Sequence, residues 1–304
     1  MTEINEKLTV SVVIPNYNGE GLLRKNLGYL IKAYKRKENC IEEIILVDDA
    51  SQDSSVEFAK RNFPEIKLIK HKINRGFACT SNTGVRSAKS KLICLLNNDV
   101  IVQDNFLEAA LHHFRNNQIF GVSLHERGYG WAKAKFESGF INHKGMKASD
   151  DVENTFWISG GSGVFRKSYW LKLGGFDDKL FKFYWEDIDL SYRALKRGYK
   201  LVWEPKAKVI HEHESTTSKT FSKTKLTRMQ EINQLVFIWK NLTSANLFRK
   251  HLVGLFSRIS RHPGYLIIFL GALTKTRKII RARKREKKET SVSDEAIFVK
   301  FSGN

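Results

Sequence analysis

Four apolar runs rich in β-branched residues constrain the fold of this chain more than any other feature. They read LTVSVVIP, IEEIILVDD, IKLIKH and KLICLLNND, and all lie within the first 100 residues. Segments with apolar residues at helical spacing separate them. Buried strands that alternate with helices are typical of an α/β fold built on a mainly parallel sheet, and we expect that fold class here.

Polar residues stand at the carboxyl ends of three of these runs. They are Pro15 and Asn16, Asp48 and Asp49, and Asn98 and Asp99. Ligands of open α/β sheets bind beyond the carboxyl ends of the strands, so these residues are predicted to face one crevice. A carboxylate such as Asp99 is a suitable ligand for Mg²⁺ or Mn²⁺. An ordinary turn or helix-capping role for Asp99 is the alternative.

Two further stretches carry candidate chemistry. NRGFACTSNTG, residues 74–84, opens a predicted helix with a glycine turn, which suits phosphate binding but is also a common strand-to-helix connection. FYWEDIDLSY, residues 183–192, places three acids beside aromatic residues. These acids favour a helix start, or one of them is a catalytic carboxylate. His211 and His213, which flank Glu212, are candidate metal ligands or surface histidines.

Charge is concentrated in the last third of the chain. The net charge is +20, and residues 216–304 hold 19 Lys and Arg against 5 Asp and Glu. Apolar residues at helical spacing accompany these cations, a pattern typical of amphipathic helices at an anionic membrane surface. Helices that pack on the preceding domain are the alternative. No apolar run reaches the roughly 18–20 residues of a membrane span, and no signal peptide is expected.

Three cysteines, Cys40, Cys79 and Cys94, form no CxxC pair and are odd in number. A disulfide framework or cysteine zinc site is therefore not expected, and a reducing compartment fits. The charge alone would also suit a nucleic-acid-binding protein, but no recognised nucleic-acid-binding signature is present, and no nucleic-acid partner is expected.

An ordered set of motifs resembles the family 2 glycosyltransferases of GT-A fold, especially their rhamnosyltransferase-like branch. The motifs, in order, are SVVIPNYNG, ILVDDASQD, NRGFACTSNTG, LLNNDV, SGGSGVFRKS, GGFDDKLFKFYWEDIDLSYRALKRGYK and VIHEHES, which span about residues 11–215. The resemblance implies a catalytic domain over 1–215, followed by a basic, amphipathic helical extension over 216–304.

The resemblance also assigns roles to individual residues. Asp187 falls at the catalytic base, with Glu186 beside it, and Asp189 is expected to be a structural helix residue. Asp99, the acid of an NND triplet at the family's DxD position, and His211 would hold Mn²⁺ or Mg²⁺. The nucleotide-sugar would contact Pro15, Tyr17, Asp48, Asp49, Asn74, Arg75, Gly76, Asn82, Asn97 and Asn98. Gly160, Gly161 and Trp185 would border the acceptor and sugar pocket.

The expected activity is inverting transfer of a sugar from a nucleotide-diphospho-sugar, of the dTDP-rhamnose or UDP-sugar type, to a saccharide or lipid-linked acceptor in cell-envelope polysaccharide synthesis. The expected location is cytoplasmic, at the inner face of the cell membrane. Because the NND triplet lacks the first acid of DxD, an inactive carbohydrate-binding or nucleotide-sugar-binding relative is the alternative.

Overall fold

The predicted alternation of strands and helices is present. The computed structural model describes residues 8–212 and 222–302, so His213 lies outside the described residues. The strands are β1 Val10–Asn16, β2 Ile41–Asp48, β3 Lys67–Lys70, β4 Leu92–Leu96, β5 Val100–Val102, β6 Ile119–Glu126, β7 Ala132–Glu137, β8 Phe140–Gly145, β9 Glu153–Asn154, β10 Ser162–Arg166 and β11 Lys200–His211.

The helices of the first 212 residues are α1 Glu20–Tyr34, α2 Ser55–Asn62, α3 Phe77–Ser87, α4 Glu108–Leu111, α5 Lys167–Leu173 and α6 Glu186–Lys196. After residue 222 come α7 Lys223–Asn241, α8 Ala245–Arg261, α9 Leu266–Leu273, α10 Thr276–Glu289 and α11 Asp294–Ser302.

One mixed sheet organises the described part of the chain, with strand order β3-β2-β1-β4-β10-β6-β11-β5. The first four strands in this order run parallel, whereas β10 is antiparallel to both β4 and β6. The parallel half brings the carboxyl ends of β1, β2 and β4 together. The antiparallel pairing of β11 with β5 sets His211 opposite Val100, next to the end of β4.

Two local sequence patterns predict elements that the structure does not contain. The proline in KLVWEPKAKVIH predicts a turn between two strands, and residues 103–116 predict one helix. Pro205 does not make a turn between two strands: β11 is continuous and absorbs the proline at an irregularity of its pairing with β6 between Glu204 and Lys208. Proline is tolerated at such irregular positions because its missing N–H breaks no regular ladder bond. The helix expected near Gln103–Asn116 is also shorter, with a single α-helical turn followed by a 3₁₀ turn at His112–Arg115.

Side chains that alternate along the strands feed two apolar layers. In β1, Val12 packs with α1 and α4 on one face, while Val13 packs on the other face with α3. This second layer also contains buried side chains of the C-terminal helices, including Phe237 and Phe298. The helices after residue 222 therefore share a core with the sheet, and the proposed division at residue 215 stays a prediction.

Polar contacts reinforce this packing. Lys240 of α7 lies 2.8 Å from Asp189 of α6, and Lys196 lies 2.5 Å from Asp294 of α11. Each of these four side chains is almost completely buried. Removing one partner of a buried pair leaves an uncompensated charge, so these pairs specify how the C-terminal helices dock. Within the described residues no helix is long and apolar enough to cross a membrane.

Candidate active site

The ends of β1, β2 and β4 meet in a hydrogen-bonded polar cluster. The Asn16 amide donates to Asp48 at 3.1 Å and accepts from the Asn98 amide at 2.7 Å. Ser51 donates to Asp48 through its N–H at 3.0 Å and its hydroxyl at 2.5 Å. Asp48 is fully buried, so these donors offset its desolvation. Pro15 lies beside it in the β1–β2 ladder, and Tyr17 is half-buried at the rim.

Asp49 connects the strand ends to the glycine turn before α3. Its carboxylate accepts from the N–H groups of Arg75 at 2.9 Å and Gly76 at 2.8 Å, and it contacts His71 Nδ1 at 2.8 Å. Gly76 has φ of +83°, a left-handed conformation that favours glycine. Asp49 therefore holds the turn that presents the exposed side chains of Asn74 and Arg75.

Asn82, on α3, is engaged away from this turn. Its amide donates to the carbonyl of Phe176 at 2.8 Å and accepts from the Phe176 N–H at 3.0 Å. Asn82 therefore braces the loop at Gly174 and Gly175.

Asp99, His211 and Glu126 form a row of three side chains beyond the end of β4. His211 Nε2 lies 3.0 Å from Asp99 Oδ1, and His211 Nδ1 lies 3.2 Å from Glu126 Oε2. Asp99 Oδ1 is buried, and the imidazole of His211 is its close polar neighbour. A buried carboxylate oxygen of this kind, beside an imidazole nitrogen, fits a divalent cation.

The charges in this row are strongly coupled. Burial opposes a charge on His211, but the two carboxylates outweigh burial and raise its pKa to about 10. Burial likewise opposes a charge on Glu126, but His211, Ser162 and Ser159 lower its pKa to about 2. Sequence reasoning missed Glu126, although it follows the apolar run of β6 as Asp48 and Asp99 follow theirs.

Two consecutive glycines connect this row to the acids of α6. A Cβ on Gly161 would lie 2.6 Å from Asn97 Nδ2 and 3.1 Å from His211 Cε1, so a larger residue there would clash. Gly160 is in contact with Asp187, whose Oδ2 accepts from the Gly160 N–H at 3.3 Å. Asp187 and His211 therefore lie beside two consecutive residues of the chain.

Glu186 and Asp187 open α6, as the helix-start interpretation predicts. The two preceding residues, Tyr184 and Trp185, have φ of +63° and +74°, which costs free energy for bulky side chains. Asn233 of α7 compensates by donating to the carbonyls of Phe183 at 2.9 Å and Tyr184 at 3.1 Å. This strained entry fixes the direction of both acids.

The two acids differ in their partners, since Asp187 accepts from two backbone N–H groups and Glu186 has an oxygen that accepts from none among the described residues. Burial, with a smaller contribution from the adjacent Asp187, raises the pKa of Glu186 to about 8. Glu186 Oε2 is buried with no hydrogen-bond partner among the described residues. Burial also raises the pKa of Asp187, although the N–H groups of Ile188 and Gly160 oppose this. Acids whose pKa is raised by burial are typical of general acid–base sites.

Asp189 has the structural role expected of it. Burial is outweighed by Arg193 and Lys240, which lower the pKa of Asp189, and the Asn241 amide donates to it at 2.8 Å.

An open cavity of about 420 Å³ lies in front of Glu186 and Asp187. Trp185 is buried in its wall, with its ring centroid 5.0 Å from His143 and 5.1 Å from Phe237. The other side is formed by α7, which contributes Thr227, Gln230, Glu231 and Gln234. Sequence reasoning placed α7 outside the catalytic domain, so it missed these polar residues.

Comparison with known proteins agrees with this arrangement. The family model for Glycosyl transferase family 2 matches residues 11–171, more than half of the chain, and that for Glycosyl transferase family group 2 matches residues 92–277. The chain belongs to glycosyl transferase family 2, and the family resemblance is confirmed.

The curated relatives are distant. The chain is 24% identical over 233 residues to the O-antigen chain rhamnosyltransferase WbaN of Salmonella anatum. The aligned region covers 70% of this chain and 69% of WbaN. It is 26% identical over 216 residues to the pre-mycofactocin glycosyltransferase of Mycobacterium tuberculosis, covering 67% of this chain and 43% of that protein. The chain thus spans less than half the length of the second relative.

Solved structures confirm the GT-A fold. GalNAc-T7 with UDP, GalNAc and Mn²⁺ has a TM-score of 0.64 and 17% identity, covering 86% of this chain and 58% of that one. The mannosyltransferase PcManGT from Pyrobaculum calidifontis, in complex with GDP-Man and Mn²⁺, has a TM-score of 0.57 and 17% identity, covering 98% and 88%.

Proposed function

We propose that this protein is an inverting glycosyltransferase. It transfers a sugar from a nucleotide-diphospho-sugar, of the dTDP-rhamnose or UDP-sugar type, to a saccharide or lipid-linked acceptor in cell-envelope polysaccharide synthesis. The observation that carries this proposal is the Gly160–Gly161 pair. The Gly160 N–H donates to Asp187 at 3.3 Å, and a Cβ on Gly161 would lie 3.1 Å from His211. A candidate base and a candidate metal-binding centre thus lie beside adjacent residues of the chain.

The donor nucleotide binds at the carboxyl ends of β1, β2 and β4. Asp48 and Asn16 form the base and ribose end, and the turn at Gly76, held by Asp49, forms the pyrophosphate side. Exposed Arg75 is suited to a phosphate, since its guanidinium offers paired donors.

Asp99 and His211 hold a divalent cation, Mn²⁺ or Mg²⁺. The buried oxygen of Asp99, which lies 3.0 Å from His211 Nε2, supports this role. When bound, the cation stabilises negative charge on the leaving diphosphate. Glu126 and its serine partners orient His211 from behind, as carboxylates commonly do for metal-binding histidines.

Asp187 acts as the base. An acceptor hydroxyl in the cavity beside α7 attacks the anomeric carbon from the face opposite the diphosphate, and Asp187 takes its proton. Desolvation raises the proton affinity of Asp187, which suits this step. Glu186 lines the cavity beside it, and Trp185 and Trp157 form an aromatic wall of the kind that sugars stack on.

The protein associates peripherally with an anionic membrane surface, at the cytoplasmic side. Support comes from α8 and α9, where Val253, Phe256 and Ile267 are 66%, 76% and 53% exposed among many cations. Large exposed apolar side chains next to cations are typical of helices that lie in a membrane interface. Such a location brings the cavity near a lipid-linked acceptor.

A donor screen tests the proposal. Purified protein is incubated with Mn²⁺ or Mg²⁺ and a panel of UDP-, GDP- and dTDP-sugars, and both thermal shift and release of nucleoside diphosphate are measured. We expect one donor to stabilise the protein and to turn over, with inversion seen by NMR of the product. Absence of binding and turnover for every donor and both ions would contradict the proposal.

A further inference from the structure

A second cavity, of about 550 Å³, lies between the loop at residues 174–180 and helix α10. It shares no lining residue with the cavity in front of Glu186 and Asp187. Cationic side chains dominate its rim, namely Lys179, Arg277, Lys278 and Arg281, and all four are exposed. Neither the donor site nor the proposed base uses this cavity.

The acids of this cavity are mostly neutralised by other residues. Asp177, Asp178 and Glu286 line it. Lys240 Nζ lies 2.8 Å from Asp177, and Arg197 pairs with Glu286. Two of the three negative charges are therefore compensated by cations outside the rim, so they do not neutralise the cations of the rim.

Arg285, which also lines the cavity, pairs with Glu289, but the four cations of the rim named above are not compensated in this way. Within residues 8–212 and 222–302, Arg277 and Arg281 form no side-chain hydrogen bond or ion pair, and Lys278 Nζ only approaches the carbonyl of Lys179 at 3.5 Å. The two arginines are four residues apart, so their guanidinium groups lie on one face of α10. Paired guanidinium groups match the oxygens of a phosphate group in geometry and charge.

An apolar surface directly precedes this cationic rim along the chain. Leu266, Ile267, Leu270 and Leu273 of α9 are 41–53% exposed, and their spacing places them on one side of that helix. Only Thr274 and Lys275 separate α9 from α10. A ligand that satisfies both surfaces needs a phosphate group attached to a hydrocarbon chain.

We infer that the cavity beside α10 binds the phosphate headgroup of an anionic membrane lipid, while the exposed face of α9 contacts its acyl chains. This extends the membrane association proposed above by naming the headgroup site and the residues that form it. A free phosphate ion would engage Arg277 and Arg281 but would leave the α9 face in water. The lipid accounts for both surfaces.

Vesicle flotation tests the inference. The full chain is mixed with phosphatidylcholine vesicles, with or without 30 mol% phosphatidylglycerol as the chosen probe. We compare Arg277→Gln/Arg281→Gln with a matched control, Lys284→Gln/Lys287→Gln, which removes the same charge from exposed positions of α10 that do not line the cavity. A cation near an anionic surface contributes roughly fivefold in affinity.

We expect wild-type protein to float only with the anionic vesicles. Arg277→Gln/Arg281→Gln should weaken vesicle binding by about tenfold or more, whereas Lys284→Gln/Lys287→Gln should weaken it by less than about threefold. Ile267→Ser/Leu270→Ser should weaken vesicle binding by about tenfold. Equal losses for the two charge pairs would indicate general electrostatic attraction and would overturn the headgroup site. Vesicle binding that is retained by Arg277→Gln/Arg281→Gln would also overturn the headgroup site. The same holds if this variant is no longer stabilised against heat by inorganic phosphate but still binds vesicles as wild type does.

A solution readout separates this inference from the proposed function. Donor binding with Mn²⁺ does not involve α10, so every variant should keep wild-type nucleotide affinity. If wild-type protein binds no donor and yet shows the predicted pattern with vesicles, the proposed activity fails and the headgroup site stands. Normal donor turnover without the vesicle pattern would support the proposed activity and overturn the headgroup site.

Discussion

The carboxylates on the proposed donor side and on the proposed acceptor side of the candidate active site differ in how many hydrogen bonds they accept. Asp48 and Asp49 are buried, and each accepts three or more hydrogen bonds or close polar contacts from Asn16, Ser51, His71 and the turn at Gly76. Glu186, which is also buried, has an oxygen without a partner among the described residues. A carboxylate with many donors maintains structure, whereas a buried one short of donors is held ready for a substrate or a proton.

The largest expected effect follows from changing the acceptor side. Asp187→Asn keeps the shape of the side chain but cannot take a proton, so we expect sugar transfer to fall by about 10²–10⁴-fold. Nucleotide affinity should change little, because the proposed role of Asp187 is to take a proton from the acceptor and not to hold the nucleotide. Calorimetric titration with the donor nucleotide and a transfer assay measure the two quantities. Full turnover by this variant would remove Asp187 from the role of base.

The matching change on the donor side should affect stability first. Asp49→Ala leaves the N–H groups of Arg75 and Gly76 and the ring of His71 without their acceptor, so we expect a loss of about 3–5 kcal/mol in unfolding free energy. Asp49→Asn keeps one acceptor oxygen and should lose less. Denaturant unfolding is the measurement. If nucleotide affinity falls while stability is unchanged, Asp49 contacts the nucleotide directly and does not act through the turn.

The pH dependence of stability sharpens the contrast. The pKa of Glu186 is raised from 4.5 to about 8, so the folded protein retains a proton that the unfolded chain releases. The stability linked to this proton is present below about pH 4.5 and is lost as the pH rises towards 8. The unfolding free energy of Glu186→Gln should therefore be larger than that of wild type by about 2–3 kcal/mol at pH 9, and the difference should be much smaller at pH 5.

Thermal or denaturant unfolding across this pH range checks the prediction. Glu57→Gln, at an exposed position on α2, is the control and should follow wild type at every pH. A pH-independent difference between wild type and Glu186→Gln would mean that Glu186 is charged in the folded protein.

The smallest expected effect concerns the row Asp99, His211 and Glu126 between the two sides. Glu126→Gln removes the charge behind His211, and we expect Mn²⁺ affinity to fall by about 10–100-fold. Glu212→Gln, next to His211 in sequence but paired with Lys25, is the control. Electron paramagnetic resonance of free Mn²⁺ measures binding. Unchanged affinity in Glu126→Gln would show that Glu126 does not orient a metal-binding histidine.

Much of the fold and part of the site follow from local sequence. The strand at Val10–Asn16 was predicted because its apolar run is continuous, and Asp99 stood out because it follows a buried strand. Glu126 follows a similar run but was missed, since only the pairing of β11 with β6 and β5 brings His211 between Glu126 and Asp99. The proline at position 205 predicts a turn, but β11 continues through it because the irregular pairing with β6 tolerates a proline there.

The sequence by itself determined the α/β alternation, the polar strand ends, the glycine turn and the helix that begins at Glu186, because each depends on neighbours within a few positions. Only the tertiary structure decided that α7 encloses the cavity in front of Glu186 and Asp187, and that Asn233 holds the strained segment before Glu186. These contacts join residues about 50 positions apart. Burial, which raises the pKa of Glu186 and Asp187, arises from that distant packing and leaves no local pattern in the chain.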